Sequence, residues 1–324
     1  MFGLFRTFLA RRPVWCSWQI TPFCNFRCTF CSVWRSRQAG RPQTLEEIRR
    51  SADKLADIGT MMVSLTGGEP LLREDLPEVV RTIARHHLTF VTTNGWLVTP
   101  AIARALAEAG LWGVGVSLDY ADEARHDAAR GMPGAYRRAI QALQTLQENR
   151  IAGQPRVNIM FTLLHDNFED LPALARLAGR LGCDIRVQPY SLLKTGEASL
   201  AYPRPVARRL LDLRRRYRNI VTNPVVLGKF DLALTNGVPG CVAGLYMLNI
   251  DPFGRVSICP ESQNDPVGHI LDDDIRTLTR RLRERHRANT CQACWYNCRS
   301  EMEVCYTMRG MFYSGMRNLF GRWP

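Results

Sequence analysis

Short apolar runs alternate with amphipathic stretches through the first two thirds of the chain. Residues 14–20, 61–65, 88–93, 113–118, 157–163 and 185–189 read as strands, and residues 44–58, 76–86, 101–109, 135–149 and 171–181 as helices between them. Thr44 followed by Glu47 predicts a capping box at the first helix. Strands separated by helices predict parallel pairing, because each return to the same edge requires a crossover. Right-handed crossovers curl such a sheet toward a barrel. The expected fold class is therefore α/β, a partial (β/α)6 barrel of the TIM type, whose chemistry gathers at the C-terminal strand ends. Residues 206–218 continue as a covering helix and residues 223–240 as a linker. Residues 246–250 and 256–258 form a hairpin around Gly254 in a small, cysteine-rich C-terminal unit. The expected division is an N-terminal amphipathic segment 1–13, a barrel 14–222, the cysteine-rich unit 223–306 and a C-terminal amphipathic helix 307–324.

Composition narrows the class only slightly. Hydrophobic residues make up 46% of the 324 positions, enough for a core, and no apolar run is long enough to span a bilayer. Residues 1–12 are too short and too broken by arginine for a secretory signal. A cytoplasmic protein is expected, with room for peripheral contact at the inner face of the membrane. The formal charge of +13 is read as arginine spread over solvated helix faces in 204–218 and 276–287, where apolar residues keep a separate stripe. No nucleic-acid-binding module accompanies it, so no nucleic-acid partner is expected.

Cysteine changes the picture more. Of the 11 cysteines, three lie at 24–31 and six at 241–305, with Cys16 and Cys183 alone. Clustered thiols in a chain of this length read as metal ligands rather than as a disulfide framework. Cys24, Cys28 and Cys31 follow a predicted strand on one tight loop. Three thiolates can hold three irons of a 4Fe–4S cube and leave the fourth open. Zinc is the rival ion, but a zinc knuckle needs a second Cys pair or histidines, and none is close in sequence.

The spacing Cys-x3-Cys-x-aromatic-Cys, with Phe30 as the aromatic residue, resembles the radical S-adenosylmethionine (SAM) superfamily. The resemblance implies that the open iron chelates SAM. The reduced cluster would then split SAM to a 5′-deoxyadenosyl radical that takes hydrogen from a substrate. It also implies a low-potential electron donor such as flavodoxin or ferredoxin. Gly67, Gly68, Glu69 and Pro70 end the second strand and resemble the family's glycine-rich motif beside the SAM methionine. Glycine there lets backbone approach a ligand, and Glu69 is placed to balance the methionine ammonium. Asn94 ends the third strand. Ser117 and Asp119 end the fourth, at a position resembling the family's ribose contact, with a helix cap as the other reading of Asp119. Gln188 and Tyr190, after the sixth strand, are candidates for the pocket wall. No catalytic acid or base is assigned.

The hairpin carries Cys241 and Cys259, and Cys291, Cys294, Cys298 and Cys305 follow. This part resembles the Twitch and SPASM extensions that hold auxiliary clusters, although the tail departs from the SPASM spacing. Two further cubes would need eight thiolates where six exist, so one auxiliary 4Fe–4S cluster is expected. Its simplest ligand set is Cys241, Cys259, Cys291 and Cys294, with Cys298 as substitute or neighbour. A structural zinc on the same thiols is the alternative.

Both ends look like basic amphipathic helices: Phe2, Phe5 and Leu9 beside Arg6, Arg11 and Arg12, and Met308, Phe312 and Phe320 beside Arg309, Arg317 and Arg322. Packing on the barrel is the plainer account. The expected function is a radical SAM enzyme acting on a peptide, protein or small metabolite. With the barrel starting near residue 14, no room is expected for a separate peptide-recognition domain ahead of it, and no cobalamin domain is expected. Modification of a lipid or isoprenoid at a membrane surface is the alternative, and a non-enzymatic iron–sulfur electron carrier is the alternative of another class.

Overall fold

The computed structural model describes residues 12–35 and 40–305. Six strands run parallel in sequence order: β1 Trp15–Thr21, β2 Met62–Gly67, β3 Leu88–Thr93, β4 Gly113–Ser117, β5 Arg156–Leu163 and β6 Asp184–Pro189. The helices that return the chain are α1 Leu45–Ile58, α2 Leu76–Ile83, α3 Pro100–Glu108, α4 Glu123–Arg130, α5 Ala135–Glu148 and α6 Leu171–Arg180. This is the partial barrel that the alternation predicts.

Local chemistry explains where elements begin and end. Thr44 and Glu47 form the capping box, with Glu47 N–H on Thr44 Oγ1 at 3.3 Å and Thr44 N–H on Glu47 Oε2 at 2.7 Å. A cap of this kind stabilises a helix by about 1 kcal/mol. Gly59, at φ 97°, stops α1 in the left-handed region that glycine tolerates.

Each strand has two faces with different chemistry. Cys16, Trp18 and Ile20 of β1, Val63 and Leu65 of β2, and Ile185 and Val187 of β6 point into an apolar core shared with the helices. The alternate residues Ser17, Gln19, Ser64, Thr66, Arg186 and Gln188 line a cavity inside the barrel. The period of two puts hydrophobic residues against the helices and polar ones around the cavity.

After α7 Ala207–Arg216, the stretch expected as a linker instead forms two short helices, α8 Pro224–Gly228 and α9 Phe230–Thr235. Val226, Leu227 and Phe230 are buried there, so apolar burial overrides the turn signals of Pro224, Gly228 and Gly237. The hairpin strands are β7 Met247–Ile250 and β8 Arg255–Ser257, followed by β9 Gly268–His269, α10 Ile275–Arg287 and α11 Asn297–Cys305. β7 pairs in parallel with β1, so β7–β8–β9 extend the barrel sheet beyond its first strand.

Leu278 and Leu282 of α10 are buried and most of its arginines are exposed, as the solvated-face reading expects. Among the described residues no helix is long and apolar enough to cross a membrane. The apolar stripes of 2–9 and 308–320 lie outside the described residues.

Candidate functional site

The loop carrying Cys24, Cys28 and Cys31 leaves β1 and is held from three sides. Gly68 N–H donates to Thr21 O at 2.9 Å and Glu69 N–H to Phe23 O at 2.7 Å, tying the loop entry to the end of β2. Thr29 N–H donates to Ala129 O at 2.9 Å, tying its middle to α4. Trp34 Nε1 donates to Cys28 O at 3.2 Å and folds the exit back.

Gly67 and Gly68 turn out to serve this junction. A Cβ on Gly68 would stand 1.7 Å from Phe23 O, and one on Gly67, at φ 133°, 2.3 Å from Thr21 O. The approach that requires glycine at both positions is backbone to backbone.

Glu69 is likewise turned inward. It is 1% exposed and accepts from Thr93 Oγ1 at 2.7 Å, Asn94 N–H at 2.7 Å and Leu71 N–H at 3.1 Å. It braces the ends of β2 and β3, and burial raises its pKa. Pro70 opens the short turn Pro70–Leu72 beside it. Asn94 orients the cysteine loop from β3, with Nδ2 donating to Asn25 Oδ1 at 2.8 Å.

Asp119 neither caps a helix nor faces the cavity. It is fully buried, accepts from Thr162 N–H at 2.8 Å and is paired with Arg130 Nη2 at 2.5 Å. The N-cap of α4 is Asp122. Arg130, which belongs to no sequence motif, links Asp119 to the cysteine loop. Its guanidinium lies 3.9 Å from Cys28 Sγ and 5.0 Å from the Phe30 ring centroid. Phe30 packs with Phe26, Tyr120 and Tyr190 beneath the loop. Ser117 ends β4 half-buried.

The donor set suits an iron–sulfur cluster. Burial pushes Cys24 up to about 11 and also raises Cys28, which Arg130 pulls back. Such thiols ionise only beside a cationic partner, and an iron–sulfur cluster supplies one. Among the described residues no three His, Cys, Asp or Glu side chains are gathered around a single ion position. A cluster takes one thiol on each iron and needs no such convergence.

The second group is similar in kind. Cys241 is buried, Cys259, Cys294 and Cys298 are partly covered, and Cys291 is exposed. Burial raises Cys241, Cys259 and Cys298, and raises Cys294 to about 12. Arg299, 1% exposed, holds the segment together. It donates to Cys294 O at 2.9 Å, to Glu303 Oε1 at 2.6 Å and to Val238 O. Each thiol group thus has a buried arginine beside it. Cys16 and Cys183 are buried in the apolar core.

Between the two groups lies a cavity of about 620 Å³. Ser32 and Val33 line it beside the first loop, and Pro260, Glu261 and Cys298 beside the second. Of the residues expected to contact the cofactor, Gly67 and Gln188 line it, while Gly68, Glu69 and Asn94 tie the cysteine loop to the ends of β2 and β3. Lys194, also outside any sequence motif, pairs with Glu261 at 2.5 Å on its wall. The signal for most wall residues is a polar side chain at every second position of an otherwise apolar strand, although Trp15, Met62, Phe90 and Met160 also line the wall.

Histidine on α4 makes the site acid-sensitive. His126 is pushed down to about 3, by burial first and then by Arg130, and its Nδ1 accepts from Asp119 N–H at 3.3 Å. The unfolded chain binds that proton near pH 6.5 and the folded chain does not, so stability falls as pH drops through that value. The loss is expected to reach about 1 kcal/mol by pH 5.5. Urea midpoints measured between pH 7.5 and 5.5 should decline more steeply in wild type than in His126→Asn.

Known proteins agree with this reading. The family model described as the radical SAM superfamily matches residues 18–178. A mycofactocin maturase, MftC, of Mycolicibacterium smegmatis is 29% identical over 94% of this chain and 80% of its own length. A probable GTP 3′,8-cyclase of Thermoplasma volcanium is 34% identical over 82% of this chain and 86% of its own. Streptococcus suis SuiB, solved with its precursor peptide SuiA, shares the fold at TM-score 0.68 and 17% identity, over 86% of this chain and 68% of that one. The chain is an enzyme and belongs to the radical SAM superfamily, whose members use a 4Fe–4S cluster and S-adenosylmethionine.

Proposed function

We propose that this enzyme performs radical SAM chemistry on a peptide. Cys24, Cys28 and Cys31 hold the SAM-binding cluster. Cys241, Cys259, Cys291 and Cys294 hold one auxiliary 4Fe–4S cluster, with Cys298 as its neighbour on the cavity wall, so that residues 223–306 act as the auxiliary unit. When bound, the cofactors supply reductive cleavage of SAM and abstraction of a hydrogen atom from substrate. The chain's own part is to orient the loop through Arg130 and Glu69 and to enclose the substrate. A low-potential donor such as flavodoxin or ferredoxin supplies the electron.

The observation that carries this reading is the single cavity running from the first thiol loop to the second. It can present one substrate to both. A peptide is favoured over a metabolite because the maturase is similar over nearly the whole chain and SuiB was solved with a precursor peptide. Anaerobic incubation with SAM, dithionite and peptides encoded near the gene should yield 5′-deoxyadenosine together with a peptide of altered mass. The same assay with GTP or a lipid extract should leave both unchanged. A product from GTP or lipid, with peptides untouched, would replace the peptide reading.

A further inference from the structure

We infer that the cavity contains a carboxylate-binding subsite built on Arg186, Asn223 and Asn297, which takes a carboxylate of the substrate. The inference deepens the peptide reading by stating which group of the peptide is held.

On residues lining the cavity, four buried N–H donors have no acceptor, Trp15 Nε1, Arg186 Nε, Asn223 Nδ2 and Asn297 Nδ2, and the Tyr296 hydroxyl, which can donate or accept, has no partner either. Buried donors left without acceptors are costly, so a cavity that concentrates them is shaped for a ligand rich in acceptors. Glu261 Oε1, an acceptor on the same wall, already faces Lys194 at 2.5 Å. The unmatched excess is therefore of donors.

Topology places two of the donors on adjacent segments of the cavity wall, one inward position apart. Arg186 stands one inward position before Gln188 on β6, about 6–7 Å further from the strand's C-terminal end. The segment beside β6 pairs Ile220 with Ile185, and Thr222 Oγ1 accepts from Val187 N–H at 2.7 Å, so Asn223 follows at the level of Gln188. Asn223 is 3% exposed. Its Oδ1 accepts from Val225 N–H at 2.9 Å, which fixes the amide and leaves Nδ2 without an acceptor. On α11, Asn297 and Glu301 sit one turn apart on the cavity face.

Glu301 is the acidic neighbour of Arg186, at 3.6 Å, beyond hydrogen-bond distance. The planar guanidinium thus keeps its Nε edge for a second carboxylate, and Asn223 and Asn297 line the same cavity. A lysine at this place would offer a point charge without the planar fork.

The test is anaerobic equilibrium dialysis of the reconstituted holoenzyme with SAM present. The probes are N-acetyl-trialanine, its C-terminal amide, the same amide with one residue replaced by aspartate, and pentanoate. The free acid is expected to bind at least about tenfold more tightly than the amide, because a charge-assisted bond is lost in the amide. Arg186→Gln should bring the two within about twofold, and Arg186→Lys should keep part of the difference. Asn223→Asp should weaken the free acid about tenfold and leave the amide unchanged, a readout that misfolding would not produce. If the aspartate amide binds like the free acid, the carboxylate held is a side chain; if it binds like the plain amide, it is the C-terminus.

Peptides that bind without preference for the acid would overturn the subsite and leave the peptide reading standing, as would an acid preference that survives Arg186→Gln. Pentanoate binding that depends on Arg186, with no peptide bound, would support the subsite and remove the peptide reading. Absence of binding by every probe would overturn the subsite.

Discussion

Protein carrying Cys24→Ala, Cys28→Ala and Cys31→Ala together is expected to cleave no SAM and to hold about four irons where wild type holds about eight, two cubes of four. The three thiols sit on a loop whose other anchors survive the change. Thr29 keeps Ala129, Trp34 keeps Cys28 O, and Glu69 keeps Phe23 O. Arg130 loses a thiol neighbour and retains Asp119 at 2.5 Å, so the buried charge pair stays closed. The variant should therefore remain folded, with an unchanged far-ultraviolet circular dichroism spectrum.

Iron and zinc analysis of the same preparations tests the second site. Cys291→Ser should fall to about four irons, and Cys298→Ser should stay near eight. SAM cleavage that persists in the triple variant would defeat the assignment of the first loop. A wild-type content near twelve would bring Cys298 and Cys305 in as ligands of a third cube. Zinc in the triple variant, with iron absent, would make the second site a structural metal.

Gly68→Val is expected to be nearly as damaging, for a reason visible only in three dimensions. From the motif alone, a valine here would block SAM and spare the iron. In the structure the added Cβ lies 1.7 Å from Phe23 O and 2.7 Å from Cys24 N. The backbone that positions the first cysteine must move, and the Gly68–Thr21 and Glu69–Phe23 hydrogen bonds go with it. Overpacking of this kind costs about 1–3 kcal/mol, and the lost bonds add to it. Both SAM affinity and first-site iron should fall, and the thermal midpoint should drop by about 4 °C or more. Gly228→Ala, where an added Cβ meets nothing within 4 Å, should change neither. Full first-site iron in Gly68→Val would mean that the loop is not braced through this junction.

The sequence alone determined the six parallel strands and the place of the first thiols. Those signals are local: a period of two or 3.6 in apolar residues, a cap at Thr44 with Glu47, and three cysteines within eight positions. Strand ends hold a motif near the cavity whatever the rest of the chain does, which is why Gly67 and Gln188 were found there. Helix α4 escaped notice, although Asp122 and Gly131 bracket it as cap residues, because its face toward the protein carries His126 and Arg130 and no apolar stripe. The two short helices of 224–235 were hidden by proline and glycine for the opposite reason, since Val226, Leu227 and Phe230 find their core only after the chain has folded.

Tertiary structure alone decided what the motif residues do. A buried carboxylate takes the nearest donors to escape its desolvation cost. Glu69 therefore turned to Thr93 and Asn94, and Asp119 to Arg130 and Thr162, rather than toward the cavity. Arg186 and Asn223 are 37 residues apart in the chain and read as ordinary polar positions. Only the pairing of residue 220 with 185 brought the two residues to one cavity.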